Sequence, residues 1–140
     1  MNFRHKTSIQ IRFKDIDALG HVNNANHATY IESARVSYFD EVIGTDIDWE
    51  KSGLILARIE IDYKQPILLH DKLLVYTACT RIGSKSMELS HRLVKEAHGA
   101  ETEMASGKSV VVTFNYAEKK AIEIPAEWVT KLKAYDGFSI

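Results

Sequence analysis

The residues of this sequence whose types and spacing could support a reaction lie in one short stretch, "DIDALGHVNN", at positions 15–24. It holds two aspartates, a histidine and two asparagines, and helical periodicity begins directly after it. Carboxylate and imidazole groups can hold or move protons, and free N–H groups at a helix start favour negative charge. The same residue types also form turns and helix caps. The surrounding elements must therefore decide between a cap and a catalytic loop.

A long helix is predicted directly after this stretch, over residues 24–42. Apolar residues recur there at steps of three and four, which gives one buried face. This face contains Ala28, Ile31, Ala34 (or Arg35), Tyr38 and Val42. Asn23 or Asn24 can cap the start of the helix, and Gly44 is suited to its end. The helix has about five turns and could be wrapped by a sheet.

Strand patterns surround this helix on both sides. Before it, "SIQIRF" alternates Ile9, Ile11 and Phe13 with polar residues, as a half-buried strand does. After it come four strand patterns, in "LILARIEIDY", "DKLLVYTACTRI", "SMELSHRLVK" and "KSVVVTFNYA", and then a short closing helix in "IPAEWVTKLKAY". One helix against a run of antiparallel strands is an α+β pattern. One helix cannot cover a whole sheet and its edges, so self-association is expected.

Size and composition limit the classes of function. The 140 residues predict a single domain, over residues 1–140. The net charge of −1 gives no general attraction to nucleic acid or to an anionic membrane. No apolar run approaches a membrane span, and the N-terminus lacks the apolar block of a secretory signal. The single Cys79 excludes an internal disulfide and suits a reducing compartment, so a soluble cytoplasmic protein is expected.

Three motifs together resemble the hotdog-fold acyl-CoA thioesterases, specifically the group similar to 4-hydroxybenzoyl-CoA thioesterase. "IRFKDIDALGHVNNANHATYIESAR" resembles that group's opening signature of a strand, Asp-x-Asp, a glycine turn and a helix. "QPILLHDKLLVYT" resembles its turn between strands, and "RIGSKSMEL" resembles its segment near coenzyme A. The resemblance covers residues 8–125. It implies a hotdog fold, in which a curved antiparallel sheet wraps a long central helix, and a homodimer or homotetramer with active sites between subunits.

The resemblance also implies roles for residues of the opening motif. Asp17 corresponds to the family's second aspartate, the nucleophile or general base of thioester hydrolysis, and these two roles stay open. Asn24 lies where the family's backbone N–H binds the oxyanion, while Asn23 is expected to be the cap. His21 is either a proton-transfer residue or a turn histidine bonded to a carbonyl. Asp15 is expected to be structural.

Binding of the acyl-CoA substrate is predicted at a second place. Lys85 and Ser86 match the family's basic-then-serine position, and Arg81 is nearby, so a local cationic patch for the phosphates is expected there. Ile59 is a candidate for the apolar tunnel that holds the acyl group. Arg35, on the helix, is expected to pair with an aspartate or glutamate.

Other classes of function are less consistent with the sequence. Hotdog hydratases carry histidine motifs that do not occur here, and acyl-CoA sensors add a DNA-binding segment. A non-catalytic acyl-CoA-binding protein and an acyl-carrier-protein thioesterase remain as alternatives. Plant acyl-carrier-protein thioesterases have a similar "HVNN", but they place an asparagine where this chain has Leu19. The other histidines lack the spacing of a metal site, and neither a metal nor a cofactor is expected.

Overall fold

The computed structural model describes residues 2–137. Its elements follow in this order: β1 (His5–Ile9), a 3₁₀ turn (Phe13–Asp15), α1 (Ala25–Val42), β2 (Gly53–Tyr63), β3 (Lys72–Ile82), β4 (Ser86–Ala97), β5 (Ala100–Asn115), β6 (Lys120–Ala121) and α2 (Ala126–Asp136). The predicted order of a strand, a long helix, four strands and a closing helix is confirmed, and the short β6 is added to it. Neither described helix is long and apolar enough to cross a membrane.

The strands form one antiparallel sheet in the order β1-β3-β4-β5-β2, and β6 pairs with the end of β5. β3, β4 and β5 are neighbours both in sequence and in space, which makes a simple meander. β2 pairs with β5 on one side, and within residues 2–137 no strand pairs with its other side. This open edge presents unpaired N–H and C=O groups along an 11-residue strand.

α1 lies across the sheet and buries one long face against it. The buried residues of the helix are His27, Tyr30, Ile31, Ala34, Arg35, Tyr38, Phe39 and Val42. All of them except His27 and Arg35 belong to two apolar clusters, one under each half of the helix. Burying a large apolar side chain contributes about 1.5–3 kcal/mol, so this face fixes the helix on the sheet. The helix ends near Gly44, whose φ of +114° is a conformation that favours glycine.

The chain leaves the sheet earlier than its alternating pattern predicts. β1 ends at Ile9, and Phe13, which the pattern placed on the buried face, is 83% exposed. The cause is the 3₁₀ turn that follows, in which the buried Asp15 carboxylate accepts hydrogen bonds from the backbone and side chain of Arg12.

β5, in contrast, is longer than its alternating pattern predicts. It begins at Ala100, well before the predicted "KSVVVTFNYA", because the turn at His98 and Gly99 pairs its first half with β4.

Gly107 on β5 lies where the helix comes close to the sheet. A Cβ atom there would be 2.7 Å from the Glu60 carbonyl oxygen and 3.3 Å from the Ile31 Cδ1 atom. Real Cβ atoms do not approach a backbone oxygen so closely. A residue without a side chain is therefore required for α1 and β2 to pack at this distance.

α2 is attached to the rest of the fold by the Asp136 carboxylate. One of its oxygens accepts hydrogen bonds from the Tyr38 hydroxyl of α1 and from the Cys79 N–H of β3, the second at 3.0 Å. Gly137 follows with a φ of +74° and ends the helix. This contact joins the closing helix to both layers of the fold.

Candidate active site

The stretch between the 3₁₀ turn and α1 is a tight hairpin. Ile16 and Val22 form an antiparallel bridge, and the Asp17 N–H donates to the His21 carbonyl oxygen at 3.0 Å. The Gly20 N–H closes the turn by donating to the Asp17 carbonyl oxygen at 3.0 Å, with a φ of +86° at Gly20. The hairpin therefore brings Asp17 and His21 side by side at its base.

Asp15 anchors this hairpin to the helix. Its carboxylate is buried, pairs with Arg12 at 3.0 Å and accepts a hydrogen bond from the Tyr30 hydroxyl at 2.7 Å. Its carbonyl oxygen accepts from the Asn23 N–H at 2.9 Å and from the Asn26 side chain at 3.1 Å. Burial alone would raise the pKa of Asp15, but the hydrogen bonds from Tyr30 and Arg12 outweigh it and lower that pKa. Asp15 is structural, as expected.

Asp17 has a different environment from Asp15. Its carboxylate is partly exposed, and its Oδ1 atom accepts a hydrogen bond from the Leu19 N–H at 2.9 Å. No other hydrogen bond or ion pair to this carboxylate occurs within residues 2–137. One oxygen of Asp17 therefore holds the loop, and the other is available for a reaction.

The start of α1 lies directly after the hairpin. The Asn23 Oδ1 atom accepts from the Ala25 N–H at 2.9 Å. The N-cap residue is nevertheless Asn24, because the helix begins at Ala25, and its side chain makes no capping hydrogen bond. The expectation that Asn23 is the cap was therefore wrong. The Asn24 carbonyl oxygen accepts from the Tyr63 hydroxyl at 3.2 Å. Among the hydrogen bonds of the described residues, none uses the Asn24 N–H. This N–H is a free donor at the positive end of the helix dipole.

A surface cavity of about 290 Å³ opens beside this helix start. Its lining includes His21, Asn24, His27, Tyr63 and Pro66, and Asp17 lies next to it on the hairpin. His27 is almost fully buried there. The periodicity of α1 does not distinguish His27 from an ordinary core residue, so no sequence pattern indicated its place at the cavity. The structure thus places His21 and Asn24 in the lining of one cavity, while Asp17 is bonded to His21 on the hairpin and lies outside that lining.

The residues predicted to bind coenzyme A form a separate group at the β3–β4 turn. Arg81 and Ser86 line a second cavity of about 290 Å³, together with Arg58 of β2. Lys85 is exposed in the turn, where its carbonyl oxygen accepts hydrogen bonds from Thr113, and it is not part of the cavity lining. Sequence reasoning missed Arg58, because the bulge next to it in β2 changes the pairing register and cannot be read from alternation.

Ile59 lies apart from both groups. It is partly buried in β2 and packs against the apolar cluster under the first half of α1. Its neighbours include Ile61, which packs against the same cluster. The structure places Ile59 at the border of the core, near the open edge of the sheet.

The largest of the described cavities, of about 470 Å³, lies beside the second half of α1, next to β2. Its lining includes Arg35, Val36, Phe39, Trp49 and Leu56. Val36, Trp49 and Leu56 are 56%, 41% and 42% exposed, which makes this an apolar surface along the open sheet edge.

Arg35 does not have the carboxylate partner that the sequence led us to expect. No ion pair of Arg35 occurs within the described residues; its Nη1 atom donates to the Ser109 Oγ atom at 3.5 Å instead. The Ser109 hydroxyl and the His91 Nε2 atom are 2.5 Å apart, and the His91 Nδ1 atom is 3.2 Å from Thr77. Burial, and after it the Arg35 charge, lower the pKa of His91 to about 3. The prediction failed because α1 points Arg35 into the sheet.

Comparisons with known proteins identify the family. The sequence profile of the thioesterase-like superfamily matches residues 11–132 of the chain. The chain belongs to this superfamily. Its antiparallel sheet around one long helix is the hotdog fold, as the opening motif predicted.

Relatives agree on the class of reaction. FadM, the long-chain acyl-CoA thioesterase of Escherichia coli (strain K12), is 26% identical over 132 residues, covering 91% of this chain and 96% of FadM. A thioesterase of Thermus thermophilus, solved with coenzyme A and Zn, is 30% identical with a TM-score of 0.83 and covers 99% of this chain and 98% of its own. The protein is accordingly a thioester hydrolase.

A third similarity concerns the fold alone. A variant of 4-hydroxybenzoyl-CoA thioesterase, solved with 4-hydroxybenzoyl-CoA, is 18% identical with a TM-score of 0.82 and covers 91% of this chain and 97% of its own.

Across residues 2–137, no group of three or more histidine, cysteine or acidic side chains is arranged to hold a metal ion.

Proposed function

We propose that this thioesterase hydrolyses acyl-CoA to a free acid and coenzyme A, with Asp17 as its reactive carboxylate. The observation that carries the proposal is the hairpin, which holds a partly exposed carboxylate beside a helix start with a free Asn24 N–H. Asp17 either attacks the thioester carbonyl carbon or takes a proton from the attacking water. In either case the carbon–sulfur bond breaks, and the thiolate takes up a proton and leaves as the thiol. Where Asp17 attacks, the acyl group remains on its carboxylate as a mixed anhydride, and water then hydrolyses this anhydride to release the free acid.

The Asn24 N–H is the proposed donor to the oxyanion that forms on the carbonyl oxygen. Such a donor at a helix start is fixed before the reaction and needs no reorganisation. His21 lines the same cavity and is the proposed relay that returns the proton to the leaving thiolate. No hydrogen bond of the His21 side chain occurs within the described residues, so its imidazole is free to turn toward a substrate.

Replacing Asp17 by asparagine tests the proposal. The change keeps the size of the side chain and removes its charge, so we expect kcat to fall by about 10²–10⁴-fold. Thiol release from short, medium, long and aromatic acyl-CoAs would measure it and define the acyl preference. Asp46→Asn, at an exposed loop position, is the matched control and should retain full activity. Equal hydrolysis by wild type and Asp17→Asn would contradict the proposal. Hydrolysis of an acyl thioester of acyl carrier protein, with no hydrolysis of any acyl-CoA, would identify a different carrier.

The cavity between Arg58, Arg81 and Ser86 is the proposed site for the phosphates of coenzyme A. The guanidinium groups of Arg58 and Arg81 supply hydrogen-bond donors for phosphate oxygens, although the Glu88 carboxylate lines the same cleft and Arg58 also pairs with Glu60. Lys85 is proposed to add a positive charge from the turn, and Ile59 to contact the acyl group from the sheet. Arg81→Gln should raise KM for acyl-CoA with little change in kcat. KM for the matching acyl-pantetheine, which lacks the nucleotide phosphates, should not change; a rise in both would argue for a different role.

We also propose that the enzyme is a homodimer or homotetramer with its active sites at a subunit interface. The open β2 edge and the apolar cavity beside it support this, because both would be covered by a second copy. The only cysteine is buried, which suits a reducing compartment, and the proposed location is the cytoplasm.

A further inference from the structure

The segment at the end of β2 contacts both parts of the candidate active site. Directly after the strand, the N–H groups of Lys64 and Gln65 both donate to the Met104 carbonyl oxygen of β5, at 2.9 and 3.0 Å. Two residues further, the Ile67 carbonyl oxygen accepts from the Val22 N–H of the hairpin at 2.8 Å. This segment is therefore fixed on the sheet, and it holds the hairpin that carries the reactive carboxylate.

Tyr63, the last residue of β2, contacts the other part of the site, which is the start of α1. Its hydroxyl donates to the Asn24 carbonyl oxygen at 3.2 Å, across 39 positions of the chain. The other donors to this oxygen come from His27, in the same turn of the helix, whose backbone N–H is 3.2 Å away. Among the hydrogen bonds of residues 2–137, the one from Tyr63 therefore ties the Asn24 carbonyl to the sheet.

The Asn24 N–H lies between two points that are held in place. On one side, the Asn23 N–H donates to the Asp15 carbonyl oxygen at 2.9 Å. On the other side, the Asn24 carbonyl oxygen is held by Tyr63. Peptide units are planar, so only the few dihedral angles between these points can turn the N–H. Helix ends otherwise fray, because their first N–H groups have no partner within the helix.

The Tyr63 ring has a contact that is separate from its hydroxyl. It packs edge to face against the buried His27 ring, with 4.8 Å between the ring centroids. The residue is nevertheless 47% exposed, and it lines the cavity of about 290 Å³ beside the helix start. Loss of the hydroxyl alone would therefore leave the ring packed and would release only the Asn24 carbonyl.

We propose that Tyr63 is a positioning residue, whose hydroxyl keeps the Asn24 N–H directed at the oxygen that becomes negative in the reaction. This inference rests on the proposed thioester hydrolysis and adds a residue of β2 to it. A donor stabilises the oxyanion best when it already points at that oxygen before the electron pair moves there. Tyr63 acts through Asn24; it neither binds the reacting atoms nor transfers a proton.

Removing and then restoring the donor at position 63 tests the inference. Tyr63→Phe keeps the ring and removes the hydroxyl, so kcat should fall by about 3–10-fold with KM nearly unchanged. 4-Aminophenylalanine in place of Tyr63 supplies an N–H donor on the same ring, and it should restore most of the lost kcat. Tyr116→Phe is the matched control and should equal the wild type. Tyr116 is also 47% exposed, and none of the hydrogen bonds within residues 2–137 uses its hydroxyl.

A readout on the bound carbonyl separates positioning from a purely structural role. In a ketone analogue of acyl-CoA, a CH₂ group replaces the sulfur and the carbonyl carbon is ¹³C-labelled. Its infrared C=O stretch should move to lower wavenumber on binding to the wild type and by less on binding to Tyr63→Phe. A variant that is only less stable would keep the full shift and the full kcat per folded molecule, and this result would overturn the inference.

Two further results are informative about the inference and about the function on which it rests. A wild type that hydrolyses acyl-CoA, with a Tyr63→Phe variant that raises KM and keeps kcat, would overturn the inference alone, because the hydroxyl would then serve substrate binding. A wild type that neither hydrolyses thioesters nor binds the ketone analogue would overturn both the inference and the proposed function.

Discussion

At the residue scale, the two aspartates of "DIDALGHVNN" have opposite environments although they are two positions apart. Asp15 is buried and fully hydrogen-bonded, and Asp17 keeps a free oxygen at the surface. This difference arises because the chain turns at Phe13 instead of continuing as a strand. One carboxylate fixes the loop, and the other is left for chemistry.

Removing the Tyr30 hydroxyl tests the anchoring role of Asp15. Tyr30→Phe takes a hydrogen bond from a buried carboxylate, which should lower the free energy of unfolding by about 1.5–3 kcal/mol at pH 7. The folded state holds the pKa of Asp15 below its usual value, so this stabilisation is present above the unfolded pKa and is lost as the pH falls through the folded one. The difference in the free energy of unfolding between wild type and Tyr30→Phe, measured by urea titration, should therefore shrink from pH 7 to pH 3.

Tyr76→Phe is the matched control for this prediction. Its hydroxyl bonds Glu101 at the surface, where water replaces the lost partner, and we expect a change below about 0.5 kcal/mol. Equal losses in the two variants would contradict a special role for the Tyr30–Asp15 contact.

The residue scale also shows what the sequence could predict of the site. The turn at Asp17 and the helix start at Asn24 could be predicted from a short motif, because neighbouring residues fix a turn and a helix start. The places of His27 and Arg58 at their cavities could not, since they depend on which distant strand packs against them. Arg35 was placed in an ion pair, but the side chain meets Ser109, 74 positions away in the chain.

At the element scale, periodicity predicted the elements better than their ends. The bounds of α1 could be predicted from the apolar periodicity of its sequence and from an asparagine and a glycine at its ends. All of these are local signals. The end of β1 depends on the ion pair between the buried Asp15 carboxylate and the half-exposed Arg12, and the start of β5 depends on pairing with β4. Neither can be read from alternation.

Gly107 offers a test of how closely the layers pack. Gly107→Ala should lower the free energy of unfolding by about 1–3 kcal/mol, because its Cβ atom would meet the Glu60 backbone. Without such a contact, alanine in a strand is more stable than glycine by about 0.5–1 kcal/mol. The sign of the change in the free energy of unfolding therefore decides whether the contact is present. Chemical denaturation would measure it. Lys108→Ala, one position further and exposed, should change stability little, and a stabilised Gly107→Ala would refute the close approach.

At the scale of the whole molecule, the open β2 edge and the cavity beside α1 form one continuous uncovered surface. Val36→Glu introduces a charge in the middle of it. Because Val36 is 56% exposed, the isolated subunit should fold normally, while a dimer that buries this surface should dissociate. Sedimentation velocity would show the smaller species, with thiol release reduced in parallel.

Leu68→Glu, at another exposed leucine (48%), serves as the control and should sediment like the wild type. A wild type that sediments as a monomer, or a Val36→Glu variant that sediments like an oligomeric wild type, would exclude this interface. The sequence predicted self-association from the unmatched area of helix and sheet. It could not locate the surface, which depends on how far the helix reaches across the strands.

The buried Cys79 thiol can report how often the folded structure opens. It is the only thiol of the chain, it is 1% exposed, and burial raises its pKa to about 12. Reagents such as maleimides should therefore modify it only when the structure opens. Because the Cys79 N–H is held by the Asp136 carboxylate of α2, the labelling rate reports how often the closing helix detaches. Mass spectra of the maleimide adduct at successive times would then follow this motion.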